Sequence, residues 1–148
     1  MIRVMMICHG NICRSPMAEF VLKDTVAKMG IAQDFHIASA ATSTEEIGNP
    51  VHHGTRRKLA EVGISTAGKY AVQVKKSDYD KYDYFLLMDG NNLRNIHRIF
   101  PSDPEKKIHL LLDFSKNPRD IADPWYTGNF DATWRDCLEG CKGLLKRI

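Results

Sequence analysis

An α/β fold with a parallel sheet covered on both faces is predicted by three features of this sequence. Apolar, β-favouring runs alternate with segments of helical periodicity along the whole chain, which is the pattern of βαβ units. The length, 148 residues, is that of about one domain. Hydrophobic residues make up 43% and charged residues 26%, a balance that excludes disordered and fibrous classes. No repeat, low-complexity tract or linker interrupts the alternation, so residues 1–148 are expected to form a single domain.

Taken in order, Ile2 to Ile7 is the first predicted strand. Pro16 to Met29 follows with helical spacing through Met17, Phe20, Val21, Thr25 and Met29, and Gly30 ends it as a C′ residue. Phe35 to Ala38 suits a second strand, and Gly54 to Val62 a helix that stops at Gly63. Tyr82 to Met88 is the third, buried strand. A helix from about Asn91 to Ile99 is stopped by Pro101. Ile108 to Leu112 is the fourth strand, and Asp131 to Arg147 the closing helix.

Composition narrows the function classes. Lys plus Arg 21 against Asp plus Glu 18 gives +3, too balanced for an electrostatic nucleic-acid binder. No apolar run is long enough to span a membrane, and no secretory leader is read at the start, so a cytoplasmic protein is expected. The four cysteines fall in two pairs, Cys8 with Cys13 and Cys137 with Cys141. A reducing compartment makes them buried fillers, metal ligands or reactive thiols rather than a disulfide framework. The turn glycines of a zinc knuckle are missing, which disfavours a metal. Cys137 and Cys141 lie four apart on a predicted helix, share a face, and are read as core packing.

In an open parallel sheet ligands bind beyond the carboxyl ends of the strands, so the first strand's following turn carries the most interest. It reads Cys8, His9, Gly10, Asn11, Ile12, Cys13, Arg14, Ser15, Pro16. Ser15 suits an N-cap and Pro16 the first helical position. A loop feeding a helix start gathers backbone N–H groups and the positive end of the dipole into one spot, which binds phosphate. Gly10 and Asn11 tolerate the positive φ of a tightly curled loop. Arg14 adds a planar fork that can grip two oxygens of a tetrahedral oxyanion. Cys8 is placed beneath this cradle, where the same field favours thiolate over thiol and makes the sulfur a nucleophile. The competing reading is a strand-end core cysteine and a solvated arginine.

A phosphomonoester attacked by that sulfur expels an oxygen that needs a proton. Asp123, in Ile121, Ala122, Asp123, Pro124, Trp125, Tyr126, is the candidate acid, later the base for the hydrolytic water. Pro124 stiffens its loop, and Trp125 and Tyr126 can wall a flat aromatic substrate. On pattern alone Asp123 is as good a turn aspartate as an acid.

Together these stretches make the chain resemble the low-molecular-weight protein tyrosine phosphatases nearly end to end. Cys8 to Pro16 is similar to the family's phosphate loop. Ser39, Ala40, Ala41 and Thr42 resemble its segment after the second strand, and Tyr82 to Asp89 its third strand. Asp123 to Tyr126 resembles its acid loop. The resemblance implies a four-stranded parallel sheet of flavodoxin-like order, no metal or other cofactor, and a phosphotyrosine protein or aryl phosphate as substrate. It implies Cys8 as nucleophile, Arg14 as phosphate clamp and Asp123 as acid and base. His9, Gly10, Asn11, Ile12, Cys13 and Ser15 would form and support the loop, with Ser39 bonding the Asn11 side chain. Cys13 matches a loop cysteine that can trap an oxidised nucleophile as a disulfide. A monomer without membrane or nucleic-acid partners is expected.

Several positions depart from that pattern. Glu45 stands at a rim position often aromatic, where a carboxylate would favour basic substrates; as a loop charge it could equally be solvent-facing. Lys69 and Val72 replace an expected His and Arg, so loop support otherwise given by that His must come from elsewhere. His52 and His53 replace a stretch often holding Asp and read as surface residues. Two alternatives share the loop: an arsenate reductase, which needs further cysteines near the site, and a non-catalytic phosphate-binding module, which needs neither nucleophile nor acid. A thiol or metal regulator built on the cysteine pairs is a third.

Overall fold

The structure, a computed structural model, describes residues 1–148. Strands β1 (Ile2–Cys8), β2 (Phe35–Ala41), β3 (Tyr84–Leu87) and β4 (Ile108–Leu110) form an all-parallel sheet in the order β2-β1-β3-β4, the flavodoxin-like order. Helices α1 (Arg14–Lys28), α2 (His53–Glu61), α3 (Gly90–Ile96), α4 (Pro124–Thr127) and α5 (Phe130–Arg147) connect and close it. None is long and apolar enough to cross a membrane.

The two-residue period of β1 divides the core. Val4, Met6 and Cys8 pack on one face with Met17, Val21 and Leu22 of α1 and Cys137, Cys141 and Leu144 of α5. Met5 and Ile7 pack on the other with Phe85, Leu87, Ile96 and Phe100. Cys137 and Cys141 are fully buried, as expected of core residues, and burial raises both thiols above the ordinary cysteine value. The chain leaves β1 toward β2 on one side and returns to β3 on the other. The point where the order reverses is therefore the carboxyl end of β1, at Cys8.

Of the element boundaries that differ from expectation, among them β2 running on to Ala41 and β3 starting only at Tyr84, three have a visible cause. The third helix ends at Ile96, because Phe100 turns back to bury against Tyr79 and Phe85. The fourth strand stops at Leu110, where the Asp113 carboxylate takes the Leu110 N–H at 3.0 Å and tightens Leu111–Phe114 into a 3-10 turn. Helix α1 starts one residue before Ser15, with Cys13 at the N-cap and no side-chain cap. The Ser15 hydroxyl is engaged elsewhere, and Pro16 sits in the first turn, where a missing N–H costs nothing.

Candidate active site

Between β1 and α1 the backbone curls so that its carbonyls are drawn outward. Cys8 O accepts from Thr42 N at 3.0 Å, His9 O from Ser43 N at 3.1 Å, and Ile12 O from His52 N at 2.8 Å. Cys13 O takes the Thr55 hydroxyl at 3.0 Å. In a planar trans peptide the next N–H points opposite to its carbonyl, so the amides of His9, Gly10, Cys13 and Arg14 turn toward the loop's concave side. Asn11 holds the curl with φ 59°; Gly10 does not adopt positive φ, contrary to expectation. A Cβ at position 10 would lie 3.3 Å from Glu46 Cγ, a tight contact that the Glu46 side chain would have to relieve by giving way slightly.

The Cys8 sulfur sits under this loop, 3% exposed. Asn11 N donates to Sγ at 3.3 Å and Ser15 N at 3.4 Å, and Ser15 Oγ lies 3.1 Å away. The Asn11 side chain explains which way that hydroxyl points. Its Oδ1 accepts from Val72 N at 3.2 Å, which leaves Nδ2 to donate to Ser15 Oγ at 2.7 Å and Ser39 Oγ at 2.9 Å. Already accepting from Asn11, the Ser15 hydroxyl is set to donate to sulfur. Three donors are thus aimed at one sulfur.

The support expected from a histidine comes from Lys69 itself. Its Nζ donates to Ser39 O at 2.9 Å and lies 3.7 Å from Glu19. The buried Glu19 carboxylate accepts from the Ser39 hydroxyl and pairs with Lys23 at 2.6 Å. Burial lowers the Lys69 ammonium from the ordinary lysine value, and the Glu19 charge opposes that shift. Val72 contributes through its backbone N–H, so an arginine is not required there.

Arg14 is buried too, 3% exposed, with Nη1 donating to Asp89 Oδ2 at 2.6 Å and Ile121 O at 2.9 Å. Burial opposes its charge, but Cys8, Asp89 and Asp123 together raise it above the ordinary arginine value. Nη2 donates to Asp123 Oδ2 at 3.5 Å and Nε has no partner in the chain, so the donor capacity left on this guanidinium lies along its Nε–Nη2 edge. Asp123 caps α4, its Oδ1 accepting from Trp125 N at 3.0 Å. Cys13 is buried, and burial first, then the Cys8 charge, pushes its thiol up to about 12.

These groups face one cavity of about 280 Å³. Cys8, Cys13 and Arg14 line its base, His9, Gly10 and Ile12 its loop side, and Glu45, Glu46, Asp123, Trp125 and Tyr126 its rim. Trp125 and Tyr126 are 59% and 84% exposed. Glu45 is not a free charge: it pairs with His9 at 2.8 Å across the mouth. Asn11, Ser15 and Ser39 stand behind the cavity as supports.

Sequence reasoning missed Asp89 and Glu19. Asp89 follows a predicted strand at its carboxyl end, and Glu19 lies four residues after Ser15 on the same helix face; both were legible as placements but not as partners. His52 also departs from the surface reading. It is half-buried, caps α2 through Nδ1, and stacks on Phe130.

The model of the family described as low molecular weight phosphotyrosine protein phosphatase matches residues 3–148. The low molecular weight protein-tyrosine-phosphatase YfkJ of Bacillus subtilis is 39% identical over 150 residues, which cover 100% of this chain and 96% of that protein. The human low molecular weight phosphotyrosine protein phosphatase is 35% identical over 151 residues, covering 97% of this chain and 94% of its own. The crystal structure of YfkJ superposes with a TM-score of 0.94 at 40% identity, covering 100% of this chain and 94% of that one. The chain therefore belongs to the low molecular weight phosphotyrosine protein phosphatase family, whose members are protein tyrosine phosphatase enzymes.

Proposed function

We propose that the protein hydrolyses phosphotyrosine-type phosphomonoesters through a phosphocysteine, with Cys8 as nucleophile, Arg14 as phosphate clamp and Asp123 as general acid and then base. One observation carries the reading. A sulfur with three donors aimed at it, a buried guanidinium with an open edge, and a carboxyl on a proline-stiffened turn all face one cavity.

The phosphate seats on the loop amides and the Nε–Nη2 edge of Arg14, a bidentate grip that also holds the equatorial oxygens as charge develops. Cys8 Sγ attacks phosphorus opposite the ester oxygen; the S–P bond forms as the P–O bond breaks. Asp123 Oδ1 is held by Trp125 N at 3.0 Å and Oδ2 only by Arg14 Nη2 at 3.5 Å, so when the guanidinium edge turns to phosphate Oδ2 is released to pass its proton to the departing oxygen. The resulting carboxylate takes a proton from water as that water attacks phosphorus. The P–S bond breaks, returning the thiolate and releasing inorganic phosphate. Trp125 and Tyr126 flank the aromatic leaving group, and the His9–Glu45 pair bounds the mouth on the other side.

An arsenate reductase fits less well, because Cys137 and Cys141 are packed in the core between α5 and the sheet rather than at the cavity. A purely binding module would not require the sulfur, the guanidinium edge and the carboxyl to share one space.

The test of Asp123 is a leaving-group comparison. Asp123→Ala should lower kcat/KM on phenyl phosphate by about 10²-fold or more, the usual worth of a general acid, and lower it far less on an ester of a strongly acidic phenol. Equal losses on both substrates would remove Asp123 from the acid's role. Cys13 lines the same cavity as Cys8, which suits it to trap an oxidised Cys8, and burial, which holds it as a thiol, keeps it from being oxidised first. Peroxide converts the Cys8 thiolate to a sulfenic acid, and attack by the Cys13 sulfur forms a disulfide and releases water. After peroxide treatment, Cys13→Ser should recover less activity with a thiol reductant than the parent does; equal recovery would contradict the protective role.

A further inference from the structure

The short segment that carries Asp123 has few polar ties to the rest of the protein: Pro124 is buried, but residues 125–129 are exposed. Every hydrogen bond made by residues Pro124 to Asn129 stays within 123–133. Asp123 itself reaches Arg14 only at 3.5 Å. A second tie runs through the aromatic rings, and all of it converges on His52.

The His52 ring meets the edge of Trp125 at 5.6 Å between centroids with the planes at 72°. Its face stacks on Phe130, the first residue of α5, at 5.3 Å and 13°. Trp125 and Phe130 thus bracket α4 and its Asp123 cap, and one ring touches both. Phe130 can come this close because residue 54 is glycine: a Cβ there would lie 2.4 Å from the Phe130 ring. At the backbone, His52 N donates to Ile12 O in the phosphate loop at 2.8 Å. His52 is therefore the residue at which the loop that holds the phosphate and the segment that supplies the proton meet. The ring is also fixed in rotation, since Nδ1 accepts from Gly54 N at 3.0 Å, which places its proton on Nε2. Burial, then the charges of His53 and Arg56, lower its basicity despite the opposing Glu46, in keeping with a neutral ring.

From this geometry we infer that His52 is a positioning residue for proton transfer: it couples the phosphate loop to the acid segment and holds Asp123 over the scissile oxygen by gripping Trp125 and Phe130. It touches no reacting atom. The inference rests on the reading of Asp123 as the acid and extends it to the device that aims the carboxyl. Misplacing a catalytic group by even a fraction of its working distance lowers its contribution steeply, whereas seating of phosphate on the loop amides is left intact.

Two partial replacements separate the ring from the cap. His52→Asn keeps a side-chain acceptor for Gly54 N but removes the ring; His52→Phe keeps the ring and removes the acceptor. The expected result is a drop of about fivefold in kcat/KM on phenyl phosphate for His52→Asn, the size of one lost aromatic contact, with less than about twofold on an ester of a strongly acidic phenol. His52→Phe should restore the parent's leaving-group dependence, and inorganic phosphate should inhibit all three proteins equally well. Equal losses on both substrates in His52→Asn, or a His52→Phe variant as impaired as His52→Asn, would overturn the inference. A change in phosphate inhibition would do the same, by assigning His52 to the loop alone. Asp123→Ala serves as the control: if it shows no leaving-group dependence, the acid assignment fails, and if it does while the His52 variants do not, only the positioning role fails.

Discussion

Cys8→Ser is expected to reduce hydrolysis of p-nitrophenyl phosphate by about four orders of magnitude or more, the scale seen when a covalent nucleophile is removed. The physical reason lies in what surrounds the sulfur. Asn11 N, Ser15 N and the Ser15 hydroxyl are spaced for an anionic sulfur at 3.1 to 3.4 Å. A serine hydroxyl keeps its proton in the same field, because an alkoxide is far harder to form than a thiolate. It is also shorter, so its oxygen falls back from the phosphorus. The loop amides and Arg14 stay in place, and the variant should still bind inorganic phosphate and aryl phosphate. Turnover and phosphate binding measured side by side check both halves. Retention of substantial turnover by a correctly folded Cys8→Ser protein would remove the nucleophile from the account.

Arg14→Lys is expected to lower kcat/KM by about 10³-fold, the upper end of the loss for a single oxyanion-hole donor, and to weaken inhibition by phosphate. A lysine preserves the charge but not the plane. In the parent, Nη1 is already spent on Asp89 and Ile121 O, and the other edge remains for the ligand. One ammonium cannot span both tasks. If it turns to Asp89, the phosphate loses its bidentate partner; if it turns to the phosphate, Asp89 and Ile121 O lose theirs, and the chain that leads to Asp123 slackens. Side-chain exposure at Arg14 is only 4%, so water does not compensate. Steady-state kinetics with phosphate inhibition measure the effect. Near-normal kcat/KM in Arg14→Lys would mean that the guanidinium is structural.

Local chemistry made the fold and the curled loop after the first strand legible. The order of strands and helices follows from apolar periodicity, and the loop's composition between a buried strand and a helix start announces an anion site. Less legible were the places where a side chain answers to residues far along the chain. Ser15 has the composition of an N-cap, but Asn11 and Cys8 engage its hydroxyl, so Cys13 takes the cap position. Gly10 and Asn11 look interchangeable as curl formers, yet only Asn11 takes the positive φ, because its side chain is fastened at three points. Asp89 and Glu19 carry no motif of their own; each acquires its role when the sheet brings it to Arg14 or Ser39 across 75 and 20 residues. Lys69 reads as a loss against the family pattern and proves to be a replacement, since an ammonium on a flexible stem reaches both Ser39 O and Glu19. Glu45 is held by His9 rather than left free on the rim.

A phosphocysteine route requires that in each turnover phosphate is bonded to the sulfur of Cys8. The decisive experiment mixes Asp123→Ala, in which loss of the base slows breakdown of the intermediate, with an ester of a strongly acidic phenol. The reaction is quenched within the first turnovers, and the phosphorylated residue is located by mass spectrometry of the digested protein. The expected result is phosphate on Cys8, present transiently in the parent, accumulated in Asp123→Ala, and absent in Cys8→Ser. Phosphate on another residue, or steady turnover with no phosphorylated Cys8 at any time, would contradict it.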